Sequence, residues 1–133
     1  MPSPYYITPF DPSEWNEDTT PIEKTSNLRV DGKDLVSKAN LRFPNFVAIS
    51  PTSWYFEHEL DRGASGILYG PGNQILKLEY GEGLEDFILW YRSYILSDYK
   101  LFLFIEGADK GFPLTSETTF QSLRQFIGVK RWD

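Results

Sequence analysis

The chain has no cysteine, one histidine and one methionine among its 133 residues. Without cysteine there are no disulfides, no thiolate nucleophile and no cysteine-held zinc. With one histidine, a triad or a histidine-based metal site would depend wholly on His58. Neither a metal nor a cofactor is expected. Long apolar runs are also missing. None approaches the ~20 residues that a membrane helix needs, and the longest candidate, Leu84 to Ile105, is interrupted by Arg92, Asp98 and Lys100. Met1-Pro2-Ser3-Pro4 has neither a basic region nor an apolar run, so it does not read as a secretory signal.

Basic residues are in deficit, with 13 Lys and Arg against 19 Asp and Glu, a net charge of −6. Nucleic-acid affinity comes mainly from neutralising phosphates, so nucleic acid is not an expected partner. An acidic surface suits a basic protein partner, and it equally serves solubility. With no membrane segment and no cysteine, the expected setting is cytoplasmic.

Catalytic signatures are absent as well. No P-loop, EF-hand or H-E-x-x-H sequence occurs, and Ala64-Ser65-Gly66 is the nearest approach to a nucleophile elbow without matching it. No catalytic residue is assigned, and an enzyme is not the favoured reading.

Aromatic residues, by contrast, make up 17% of the chain and include four tryptophans. Most must fill a core, but tyrosine and tryptophan are also favoured at contact surfaces. Residues 1–30 read as an irregular, proline-rich acidic arm docked on the domain, and residues 31–133 as a single α+β domain. Pro2, Pro4, Pro9, Pro12 and Pro21 break any long element in the arm. Tyr5-Tyr6-Ile7 is expected there as a short edge strand, because flanking proline limits pairing. Trp15 sits among Glu14, Glu17, Asp18 and Glu23.

Asp31 is placed to cap a short helix carrying Leu35, Val36 and Ala39. Pro44 stops that helix, and Asn45 to Ser50 follows as an extended piece. From Ser53 to Leu60 the chain alternates. Trp54, Phe56, His58 and Leu60 point one way, and Tyr55, Glu57 and Glu59 point the other. Strands over Gly66 to Tyr69 and Gln74 to Tyr80 complete an antiparallel meander, joined by the turn Gly70-Pro71-Gly72-Asn73. Lys77 and Glu79 share a face with Ile75, which predicts one partly solvated sheet face.

Gly81-Glu82-Gly83 turns the chain into an amphipathic helix over Leu84 to Ile95. Its stripe is Leu84, Phe87, Ile88, Tyr91 and Ile95, widened by Trp90 and Tyr94, with Arg92 on the exposed side. The unbroken apolar run Leu101 to Ile105 suits a central strand, and the helix before it predicts a βαβ crossover with parallel strands. Gly81 and Gly83 could open a dinucleotide fingerprint, but Asp86 occupies the third glycine's place. Glu82 and Glu85 also put negative charge where a pyrophosphate would lie, so a plain glycine turn is preferred. A final helix is expected over Leu114 to Ile127. Thr115 or Ser116 would cap it, Phe120, Leu123, Phe126 and Ile127 would be buried, and Gly128 would end it.

The expected architecture is therefore an α+β, two-layer domain: an antiparallel β-meander followed by a βαβ crossover and a C-terminal helix. The favoured function is a protein-protein interaction module, in concrete form an inhibitor or immunity-type protein for a basic partner. Its candidate contacts are Trp15, Tyr55, Glu57, Glu59 and Trp132. The alternative is a small-molecule-binding or enzymatic domain with a pocket at the carboxyl ends of the parallel strands, formed by Tyr80, Gly81, Gly83, Trp90 and Glu106. A monomer and a homodimer joined through the open sheet face both fit. Glu57 and Glu59 would lie ~7 Å apart on one face, where cross-strand pairing with Lys77 or Arg62 is a plainer role than acid-base chemistry.

Overall fold

A computed structural model describes residues 3–14, 27–58 and 63–132, with the side chains at 14 and 129–132 excepted. Its elements in chain order are β1 (Tyr5–Thr8), α1 (Gly32–Arg42), β2 (Phe46–Ser50), β3 (Ser53–Phe56), β4 (Ser65–Tyr69), β5 (Ile75–Glu79), α2 (Leu84–Tyr94), β6 (Leu101–Ile105), β7 (Phe112–Leu114) and α3 (Phe120–Trp132). The strands form one seven-stranded sheet in the order β2-β3-β4-β5-β1-β6-β7. Every strand pairing in it is antiparallel. The mixed α+β class and the β3-β4-β5 meander match the expectation.

The parallel βαβ crossover does not. α2 carries the chain from β5 to β6, and these two strands run in the same direction but never pair. β1 lies between them, with Tyr5 opposite Leu78 on one side and Ile105 on the other. The strand expected at an edge is thus interior. Pro4 and Pro9 flank Tyr5–Thr8 without entering it, so all four residues keep the N–H that an interior strand must donate. The apolar run of β6 is satisfied by this antiparallel insertion.

Period-2 alternation sorts the strands onto two faces. Phe46, Trp54, Phe56, Leu68, Leu76, Leu78, Tyr5, Ile7 and Leu103 face the helices and are buried. α2 supplies the hub of this layer. The Phe87 ring contacts those of Phe43, Trp54, Phe56, Trp90 and Tyr91 at centroid distances of 5.5 to 6.3 Å. α1 joins through Leu35 and Ala39, followed by its C-cap Phe43, and α3 through Leu123 and Ile127. All three helices therefore cover one face, in two layers.

Local chemistry explains the element ends. Asp31 caps α1 by accepting from the Asp34 N–H. The last helix begins later than expected, because Phe112–Leu114 is consumed as the edge strand β7 against β6. Thr119 is its cap. The Ser122 N–H donates to Thr119 Oγ1 at 3.1 Å, and the Thr119 N–H donates to Ser122 Oγ at 3.0 Å, a reciprocal capping pair. α3 also continues through Gly128 to Trp132. A glycine inside a helix costs only about 1 kcal/mol relative to alanine, and no proline follows to enforce a stop.

Arg92, expected on an exposed helix side, is buried. Its Nη1 donates to the carbonyls of Tyr99 (2.9 Å) and Leu114 (3.5 Å), and its Nη2 to those of Ile95 (3.1 Å) and Leu96 (2.8 Å). One guanidinium thus caps the end of α2, fixes the following loop and ties both to β7. Desolvation pulls its pKa below the usual arginine value, and the carbonyl dipoles at a helix C-terminus offset part of that cost. Among the described residues, no helix is long and apolar enough to cross a membrane.

Candidate functional site

The face of the sheet away from the helices has a different chemistry. The alternation that buries Tyr5, Leu76, Leu78, Trp54 and Gly66 turns Tyr6, Lys77, Glu79, Tyr55, Ser65, Ile67 and Tyr69 to this second face. Phe102 and Phe104 join them from β6. The face is not uniformly open, since Thr8, Ile75 and Phe104 are buried in it. Tyr6, Tyr55, Tyr69 and Phe102 are half-buried, Glu79 is exposed, and Ile67 is 49% exposed. Ser65 Oγ donates to Glu79 Oε2 at 3.4 Å.

Its centre is a tyrosine-carboxylate cluster. The Tyr6 hydroxyl donates to Glu106 Oε1 at 3.4 Å, and the Tyr6 ring stacks on Phe104 at 5.7 Å with 25° between planes. Tyr69 belongs to the same network. Burial, then the nearby Tyr69 and the Glu106 charge, push the Tyr6 phenol up to about 12. Burial first, and Glu106 second, also raise Tyr69. Both phenols are neutral at pH 7, and Glu106 is exposed beside them.

The sequence-predicted residues distribute as follows. Tyr55 is on the second face, and Glu57 is exposed just beyond the end of β3. Trp15 and Glu59 lie outside the described residues. Trp132 closes α3, and its side chain lies outside them too. Of the alternative pocket, Glu106 joins Tyr6 on the second face, whereas Trp90 is on the helix side. There it stacks on Tyr94 at 5.2 Å and meets Phe43 edge-on. The sheet separates these two residues. Tyr80 is half-buried against the main core.

Gly81 and Gly83 have conformational roles. A Cβ on Gly81 would lie 2.4 Å from the Ala64 nitrogen, so the backbones touch there, and Gly83 adopts φ +91° at the start of α2. The Ala64 N–H donates to the Glu82 carbonyl at 3.1 Å in the same contact. His58 Nε2 lies 3.1 Å from Glu82 Oε2. Strand alternation had set Glu57 opposite His58. The strand ends at Phe56, and both residues line one small crevice of about 120 Å³ with Phe43, Glu82 and Asp86.

A larger cleft of about 1020 Å³ lies between the end of α2 and the β6-β7 edge, lined by Leu89, Arg92, Leu96, Phe102, Pro113 and Thr115. Its one guanidinium has its four terminal-nitrogen hydrogen bonds committed to backbone carbonyls, which marks Arg92 as a structural clamp. Sequence reasoning missed Tyr6, Ile67 and Tyr69 as surface residues. The predicted solvated face with Lys77 and Glu79 was the available signal, but β1 had first to be placed beside β5. Among the described residues there is no group of three or more His, Asp or Glu able to hold a metal ion. Set against known protein families, curated proteins and solved structures, the chain matches none.

Proposed function

We propose that this chain is a protein-interaction module whose second sheet face receives a basic protein partner, in concrete form as an inhibitor or immunity-type protein acting in the cytoplasm. One observation carries the reading. Three helices cover one face of the sheet, while the other presents half-buried tyrosines and an exposed isoleucine with Glu79 and Glu106, and Lys77 is the one base on its strands. Aromatic anchors ringed by charge suit a protein contact, and the acidic balance would steer a basic partner toward it. Tyr55 acts at this face, with Glu57 just beyond the end of β3 and Trp15, Glu59 and Trp132 as further contacts argued from sequence.

The test is affinity capture with the purified chain, elution by rising salt, and a parallel capture with the double variant Tyr55→Ala/Ile67→Asp. The expected result is a basic protein held by the wild type, released by salt and missed by a variant of unchanged fold. Equal capture by the variant, or capture insensitive to salt, would overturn the reading. Neutralising Glu57 and Glu59 together is expected to slow association and flatten its salt dependence. An unchanged rate would remove both from the contact.

A further inference from the structure

We infer that Tyr6, Tyr69 and Glu106 form a receptor for an arginine side chain of the partner. This rests on the protein-interaction reading above and names what its second face recognises. The three residues come from β1, β4 and the end of β6, and only the strand order brings them together. The cluster offers what a guanidinium needs. Glu106 gives an exposed carboxylate at one end, with the Tyr6 hydroxyl already on its Oε1. Two half-buried phenol rings give flat faces beside it.

The support under Tyr6 is rigid. Its ring lies on Phe104, which is 3% exposed, in the middle of an interior strand pair. The Glu106 carboxylate is the charge in contact with the cluster, with Lys77 opposite Tyr6 and Glu79 one pair further along, beside Ser65. A planar guanidinium can stack on a phenol and still fork to a carboxylate, whereas an ammonium offers a point charge without a face. The occupant is therefore arginine rather than lysine. The geometry also separates this site from the Asp34 carboxylate on α1, which already accepts from Tyr94 and pairs with Lys38 at 3.2 Å.

The test uses the full chain, labelled with ¹⁵N, and three blocked tripeptides, Gly-Arg-Gly, Gly-Lys-Gly and Gly-citrulline-Gly. Chemical shifts of the backbone and the tyrosine rings are followed in the millimolar range. The arginine peptide is expected to shift Tyr6, Tyr69 and Glu106 in a saturable way. Lysine should bind several-fold more weakly, and the neutral citrulline should give no saturable change. Glu106→Gln should weaken the arginine response about tenfold, the loss of one charge-assisted bidentate contact. Tyr69→Ala should weaken it independently, and Asp109→Asn, an equal charge change elsewhere, should not.

Equal weakening by Glu106→Gln and Asp109→Asn would overturn the inference in favour of net charge alone. So would equal binding of the arginine and lysine peptides, or shifts that map elsewhere. The two readings fail separately. A basic partner captured through Tyr55 and Ile67 but indifferent to Glu106→Gln overturns the arginine receptor and leaves the interaction module. Saturable arginine binding supports the receptor even where no basic protein is captured, an outcome that sinks the module.

Discussion

Tyr5 and Tyr6 are neighbours on one strand and live in different solvents. Tyr5 is 1% exposed, faces the helices and donates its hydroxyl to the Ile127 carbonyl of α3. Tyr6 faces the other side, remains half-exposed and donates to a carboxylate. The two faces they represent are both rich in aromatics, so composition does not tell them apart. The covered face joins its rings to one another around Phe87, and the second face joins its rings to hydroxyls and charge. Burial of apolar area drives the first. On the second, half-buried rings stand beside exposed carboxylates, which suits an interface better than a core.

Truncating one apolar side chain on each side of the sheet separates the two faces most strongly. Phe87→Ala should cost about 3 to 5 kcal/mol, because it empties the hub of the covered layer. Ile67→Ala on the second face should change stability by less than about 1 kcal/mol. Urea unfolding of both variants measures the contrast, and similar costs would mean that the second face is also core.

Arg92→Met ranks next. It keeps the apolar stem but leaves the four carbonyls of residues 95, 96, 99 and 114 without their shared donor, and about 3 kcal/mol should be lost. Arg92→Lys should recover only part of that, since an ammonium cannot reproduce the fork. Full recovery in the lysine variant would reduce the clamp to a simple charge at a helix end.

Two buried tyrosines sharpen the picture within the covered face. Tyr5 has its acceptor, so Tyr5→Phe should cost about 1 kcal/mol. Tyr91 is fully buried, and its hydroxyl has no hydrogen-bond partner among the described residues. Tyr91→Phe should therefore be neutral or stabilising by up to about 1 kcal/mol. A clear loss for Tyr91→Phe would show that its hydroxyl is satisfied after all.

A further effect is expected in alkali. Tyr6 is raised from an ordinary value near 10 to about 12, and Tyr69, Tyr91 and Tyr94 are raised as well, each chiefly by burial. A raised phenol binds its proton more tightly in the folded state. The associated stability is complete below about pH 10 and is lost as pH climbs toward 12. Stability should fall across that window, with a shallower fall in Tyr6→Phe. Tyrosinate absorbance at each pH checks the titration directly, and an unchanged slope would assign the effect to the other phenols.

The helix-sheet alternation was legible because it rests on local periodicity. Leu84, Phe87, Ile88 and Tyr91 recur at helical spacing, and residues 53–56 and 75–79 alternate at period 2, each pattern fixed by backbone geometry. Asp31 as a cap was readable for the same reason. The end of α3 was misjudged because Gly128 is a local signal that costs little to override. Arg92 was misjudged because helical spacing cannot show which carbonyls wait at the end of a neighbouring strand. The residues of the tyrosine-carboxylate cluster were visible one by one, and their assembly was not.

Residue type and near-neighbour spacing were enough for α1, α2, the meander, the lack of cysteine chemistry and the acidic balance. The entry of Tyr5–Thr8 between β5 and β6, by contrast, depends on the fold as a whole. That pairing joins positions about a hundred residues apart in sequence, and its free energy comes from a slot that exists only once α2 has carried the chain across. The same insertion separated the strands expected to pair in parallel. It buried Tyr5, turned Tyr6 outward, and brought Tyr69 and Glu106 to its side.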